Sequence, residues 1–257
     1  MPLRIGFDMD GVLADFAAAY HEIETRLVGP STPSTRAGNP EEEASEESED
    51  EETARTRAKA EEEARKTEDA ARQAEGGRRK KEVRPSEHRR RRDLVWQAIQ
   101  ETPDFWTTLK PLDPTAVGRI HEMMVRHRWE VFFITQRPAT DGDTVQRQTQ
   151  RWLVEQGFDL PSVLVIAGSR GAAAGALRLD YHVDDNAKNC IDIKSESGAK
   201  PLLIVDPSDD MTAISARRLG IGTATTIDEC LTILEQASVN RAQPNLLHRL
   251  AKLVGWH

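Results

Sequence analysis

Long apolar runs are missing from this chain. No window of its 257 residues approaches the roughly 20 apolar residues that a helical membrane span requires, so no such span is expected. Cysteine is scarce. Cys190 and Cys230 form no CxxC pair and no metal-ligand spacing, which argues against a disulfide framework or a zinc site and for free thiols in a reducing compartment. The opening residues MPLRIGFDMDG lack the apolar stretch of a secretory signal, and the expected setting is soluble and cytoplasmic. Leu, Ile and Phe are wholly absent from residues 41–92. A segment without them cannot bury enough apolar surface to offset its chain entropy.

That segment has charge instead. Residues 41–52 are almost wholly acidic, 54–75 are mainly Ala, Glu, Lys and Arg, and 78–92 are strongly basic. Glu and Arg at i,i+3 and i,i+4 favour a solvated helix over 54–75. Residues 29–92 are therefore expected to be a disordered or loosely helical insertion, open to a protein partner. A net charge of −8, with an acidic block beside the basic one, speaks for solubility and against nucleic-acid binding.

Outside the insertion the pattern is regular. Residues 3–7 (LRIGF) read as a buried parallel strand and 16–27 as a helix. Order is expected to return at Leu94, with a helix over 94–100. Strands are then expected at 129–135, 163–166, 181–183, 201–205 and 224–226. Between and after them come helices at 114–127, 143–156, 171–178, 187–195, 209–218 and 227–236. This alternation predicts an α/β fold, a three-layer Rossmann-like parallel sheet covered on both faces. The tail 244–256, within a C-terminal segment 241–257, is amphipathic, with Leu246, Leu247, Leu250, Leu253 and Val254 on one face. It is expected to dock on the domain or on a second copy of the chain.

Carboxylates cluster at the predicted strand ends. DMDGVLAD places Asp8 and Asp10 where the first strand meets a glycine turn, and DYHVDD places Asp184 and Asp185 at the end of another. Ligands of open parallel sheets bind beyond the carboxyl ends of the strands. Four acidic groups gathered there raise one another's pKa, a conflict that a divalent cation with a preference for oxygen ligands resolves. Thr135 ends the strand FFITQRP, where its hydroxyl and the following backbone at Gln136 suit a phosphate oxygen. Arg137, the next residue, is read either as facing that phosphate or as a surface residue.

DMDGVLAD, ITQR and DYHVDD, in that order, resemble the haloacid dehalogenase (HAD) superfamily, and within it the 5'-nucleotidase and deoxyribonucleotidase-like branch. The likeness covers residues 1–27 and about 94–235. It implies a magnesium-dependent phosphomonoester hydrolase acting through an aspartyl-phosphate on a small phosphorylated metabolite or nucleotide. Asp8 matches the nucleophile. Asp10 matches the acid/base, whose backbone carbonyl also binds magnesium. Thr135, with Gln136, matches the phosphate-binding motif, and Asp184 and Asp185 match the metal-binding pair. The family usually carries a Lys ahead of that pair; Arg170 is the nearest counterpart here, with Arg178 and Lys188 as alternatives. The resemblance also implies a core of residues 1–15 and 111–240 and a small helical cap within 16–110, in which Tyr20, Trp96, Phe105 and Trp106 pack or shape a pocket. Two other readings remain open: a weakly catalytic binding protein that recruits a partner through its charged insertion, and a phosphatase acting on nucleic-acid ends.

Overall fold

A computed structural model describes residues 2–29 and 87–242. The greater part of the predicted insertion and the amphipathic tail lie outside those residues.

Six strands form one parallel sheet in the order β3-β2-β1-β4-β5-β6. They are β1 (Arg4–Asp8), β2 (Glu130–Thr135), β3 (Val163–Val165), β4 (Tyr181–Asp184), β5 (Lys200–Ile204) and β6 (Gly222–Ala224). The chain steps outward from β1 to β3, returns to the other side of β1, and steps outward again. Right-handed crossovers then place the helices of the outward run on one face of the sheet and those of the return and second run on the other. α3 (Ala116–His127) and α4 (Val145–Glu155) belong to the outward run through β3, and α8 (Ile227–Ala242) packs against α3. α5 (Arg170–Leu177), α6 (Ala187–Glu196) and α7 (Asp210–Arg218) belong to the return and the second run.

Apolar residues on both sides of the strands make this arrangement stable. Phe133 sets its ring edge-on against Phe158 at 4.8 Å and tilted against Phe7 at 6.3 Å. Its neighbour Ile134 packs in a separate cluster with Ala174 of α5 and Ile193 of α6. Alternate residues of β2 thus serve alternate layers. Each such side chain, fully buried, contributes roughly 1.5–3 kcal/mol relative to exposure. Both cysteines are buried free thiols, and burial pushes Cys230 up to about 12, so neither is a reactive thiolate.

The described elements match the sequence reading closely, apart from the last helix, which runs to Ala242 rather than ending at 236, and two displacements. The strand expected at 224–226 lies at Gly222–Ala224. Thr225 and Thr226 serve the start of α8 instead. The Thr225 amide donates to Glu229 at 2.7 Å, and the Glu229 amide donates to the Thr226 hydroxyl at 3.2 Å. The second displacement is the return of order, which comes at Glu87 rather than Leu94: α2 spans Glu87–Gln100, including the arginines 89–92. Glu and Arg have good helix propensity, and charge on one end of a helix leaves its other turns free to pack.

The described residues divide into two compact units, residues 2–19 with 100–242 and residues 20–29 with 87–99. In the second, Tyr20 of α1 (Phe16–Val28) meets Trp96 of α2 edge-on at 6.0 Å, and the Arg91 Nε lies 3.7 Å from a Glu24 carboxylate oxygen. Ile23, Val95 and Ile99 are buried. Among the described residues, no helix is long and apolar enough to cross a membrane.

Candidate active site

The sheet reverses its order between β1 and β4, and the side chains of interest gather at that switch point. Register sets them side by side. Asp8 pairs with Ile134, one residue short of Thr135, and Phe7 pairs with Val183, one residue short of Asp184. Three neighbouring strands therefore end in Thr135, Asp8 and Asp184.

After Asp8 the backbone makes a tight turn. The amides of Leu13 and Ala14 donate to the Met9 carbonyl, and the Gly11 amide donates to the Ala14 carbonyl. Gly11 has φ +79, and a Cβ there would run into the carboxylate of Asp185. The turn thus needs glycine for its backbone and for its clearance. Asp15 then accepts from the Ala18 amide at 3.0 Å and starts α1.

Asp8, Asp184 and Asp185 each bring a carboxylate oxygen within 4.8 Å of the others. Asp8 is fully buried, and its Oδ1 accepts from Arg170 Nη2 at 2.6 Å. Among the described residues its Oδ2 has no hydrogen-bond partner, nor has Oδ1 of Asp185. Asp184 is held from several sides: by the Asn186 amide at 2.8 Å, by Asn189 Nδ2 at 3.3 Å and by His182 Nε2 at 3.1 Å, with Arg170 Nε at 3.9 Å. Asn186 also caps α6, accepting from the amides of Lys188 and Asn189, so one residue both starts the helix and orients the carboxylate. Arg170 enters from the first turn of α5, which Ser169 caps through the amides of Gly171 and Ala172. Arg170 is buried, whereas Arg178 and Lys188 are exposed, and it is Arg170 that reaches Asp8.

Burial is the main cause that pushes Asp8 up to about 7; Arg170 opposes it, and the carboxylates of Asp184 and Asp10 add to it. Burial, then Asp184 and Asp8, holds Asp185 well above the usual carboxylate range. These groups fit a divalent cation. Three carboxylates face one guanidinium, which leaves two negative charges if all are ionised, and two buried oxygens point at no donor. All the donor atoms are oxygen, the preference of magnesium.

Asp10 stands apart from this trio. It is buried, and Arg137 takes both of its oxygens, Nε donating to Oδ2 at 2.8 Å and Nη2 to Oδ1 at 2.7 Å. Arg137 is buried, not a surface residue, and its hydrogen bonds run to Asp10 and Thr149. Thr135 is buried, with a hydroxyl that has no partner among the described residues. Gln136 is half-buried beside it. Three groups that hold Asp184 escaped the sequence reading, Asn186, Asn189 and His182. Asn186 carried a cap signal directly after the double aspartate, while His182 showed nothing beyond strand alternation.

No family model matches the chain, and no curated protein matches it. Solved structures that resemble it include a provisionally assigned beta-phosphoglucomutase from Thermotoga maritima, at TM-score 0.46 and 19% identity, covering 91% of this chain and 99% of that one. Another is a HAD hydrolase, family IA, variant 3, from Entamoeba histolytica, at TM-score 0.44 and 14% identity, covering 89% and 95%. Likeness at this level decides neither family nor activity, and the site geometry has to carry the function.

Proposed function

We propose that this chain is a magnesium-dependent phosphomonoester hydrolase of the haloacid dehalogenase type, with Asp8 as nucleophile. The observation that carries the reading is Asp8 itself: a buried carboxylate, anchored by Arg170 through one oxygen and, among the described residues, without a partner at the other, beside two further carboxylates.

Each residue then has a defined task. Asp8 Oδ2 attacks phosphorus and forms an acyl phosphate, which splits one slow hydrolysis into two easier steps. Arg170 holds Asp8 in place and presents positive charge to the phosphoryl group. The free hydroxyl of Thr135 donates to a phosphoryl oxygen. Asp10 gives a proton to the leaving oxygen and later takes one from the attacking water. Asp8, Asp184 and Asp185 would hold magnesium, whose charge would keep Asp8 ionised at neutral pH and offset the charge of the phosphoryl oxygens. Asn186, Asn189 and His182 keep Asp184 turned toward that position.

The substrate is a small phosphorylated molecule. The motif resemblance makes nucleoside monophosphates the first group to try, and the site geometry does not choose among phosphate esters. A panel of p-nitrophenyl phosphate, nucleoside monophosphates and sugar phosphates, assayed with magnesium and with EDTA, tests the reading. Phosphate release that needs magnesium and disappears in Asp8→Asn supports it. Release that survives either change refutes it, as does a complete lack of release.

A further inference from the structure

Arg137 is held from several sides. Besides its two bonds to Asp10, its Nη1 donates to Thr149 Oγ1 of α4 at 3.0 Å. Its guanidinium lies over the ring of Trp106, 4.7 Å from the centroid. Trp106 is pinned in turn: its Nε1 donates to the Pro138 carbonyl at 3.0 Å and its backbone amide donates to Gln148 Oε1 at 3.0 Å. Gln148 Nε2 donates to the Asp143 carbonyl at 2.6 Å. The arginine is thus fixed from the turn at Trp106, from α4 and from the loop after β1. Asp10, with both oxygens on the fork, takes its side-chain orientation from Arg137. None of the hydrogen bonds described for Arg137 runs to Asp8, Asp184 or Asp185, so it belongs to Asp10 rather than to the carboxylate trio.

We infer that Arg137 is a positioning residue for Asp10, holding the carboxyl group in the orientation from which it exchanges protons with the leaving oxygen and with water. The inference rests on the hydrolase reading above. In the first half-reaction the Asp8–phosphorus bond forms, the bond from phosphorus to the ester oxygen breaks, and that oxygen takes the proton of Asp10. In the second, water gives its proton to Asp10 as its oxygen bonds to phosphorus, and the Asp8–phosphorus bond breaks to release inorganic phosphate. Asp10 therefore alternates between carboxyl and carboxylate. A fork with two parallel donors suits both states, because when one oxygen carries the proton the other still accepts from the guanidinium. A lysine ammonium offers a point charge and no such fork. Proton transfer also depends on the acid lying within hydrogen-bond reach of the leaving oxygen, which a loose carboxyl group does not guarantee.

Leaving-group chemistry separates this role from simple structural support. A good leaving group such as 4-nitrophenolate departs with little help from an acid, whereas phenolate needs the proton. Wild type, Arg137→Lys and Thr149→Val are compared on 4-nitrophenyl phosphate and phenyl phosphate with magnesium, and folding of each is checked by circular dichroism. The expected result for Arg137→Lys is a loss in kcat/KM, which reports formation of the acyl phosphate alone, on the order of 100-fold for phenyl phosphate and under about tenfold for 4-nitrophenyl phosphate. Thr149→Val, which removes one anchor of the guanidinium and leaves the fork in place, should lose in the same order by a smaller factor. Equal losses on both substrates overturn the inference while leaving the hydrolase reading intact. A wild type that hydrolyses neither ester removes both. Should Arg137→Lys fail to fold, the ratio of the two losses in Thr149→Val decides.

Discussion

Removing magnesium should make the stability of this protein depend on the charge of Asp8. Burial, opposed by Arg170, raises that group from 3.8 to about 7 in the folded chain. A carboxyl group with a higher pKa folded than unfolded adds stability that is complete below the unfolded value. That stability is lost as pH rises through the folded value. In EDTA the decline therefore spans the interval from 3.8 to about 7. At 1.36 kcal/mol per unit, the part lost between roughly pH 5 and pH 8 is about 2–3 kcal/mol. For an ordered domain of about 150–250 residues this corresponds to a fall in Tm of about 5–10 °C. Asp185 is shifted in the same direction and steepens the decline. Saturating magnesium binds the ionised carboxylates of the folded state, so the rise in Tm it produces should be larger near pH 8 than near pH 5. Scanning calorimetry of wild type and Asp8→Asn, in EDTA and in magnesium across this range, measures all of these quantities. In Asp8→Asn the decline in EDTA should shrink by the share of the missing carboxyl group. Equal slopes in the two proteins, or a magnesium shift of the same size at every pH, would refute the reasoning.

Gly11→Ala places a methyl group against the Asp185 carboxylate at a backbone φ of +79, so it should cost about 1–2 kcal/mol in urea unfolding and reduce the magnesium-induced rise in Tm. A normal magnesium response in that variant would show that the turn does not set the carboxylates. Asn186→Ala removes the cap of α6, with an expected loss of about 1 kcal/mol, and loosens Asp184. Its magnesium affinity by titration calorimetry should fall together with its stability, and an unchanged affinity would separate the cap from the site.

Much of the core was legible in the sequence because its signals are local. Apolar runs of four to six residues between helical stretches specify a parallel sheet, and the carboxyl ends of those strands specify where ligands go. Asp8, Thr135 and Asp184 converge because their strands are neighbours in register. The departures have local causes too. Threonine favours strands by its shape, yet Thr225 and Thr226 hold the start of α8 through amide and hydroxyl bonds. Arg137 is the opposite case. Its meaning lies in a pairing with Asp10 across 127 residues of chain, which no periodicity or spacing encodes. His182 was missed for a different reason: it shares a face of β4 with Asp184 two residues on, but strand alternation alone does not say that the two side chains bond.

The central claim is that Asp8 becomes phosphorylated. Wild-type protein mixed with magnesium and p-nitrophenyl phosphate, quenched within milliseconds and reduced with tritiated borohydride, would convert an acyl phosphate into a labelled alcohol. Mass spectrometry of the peptides then locates the label. The account predicts label at position 8, dependent on magnesium and absent from Asp8→Asn. Phosphate release with no label at Asp8, or with label on another residue, would contradict it.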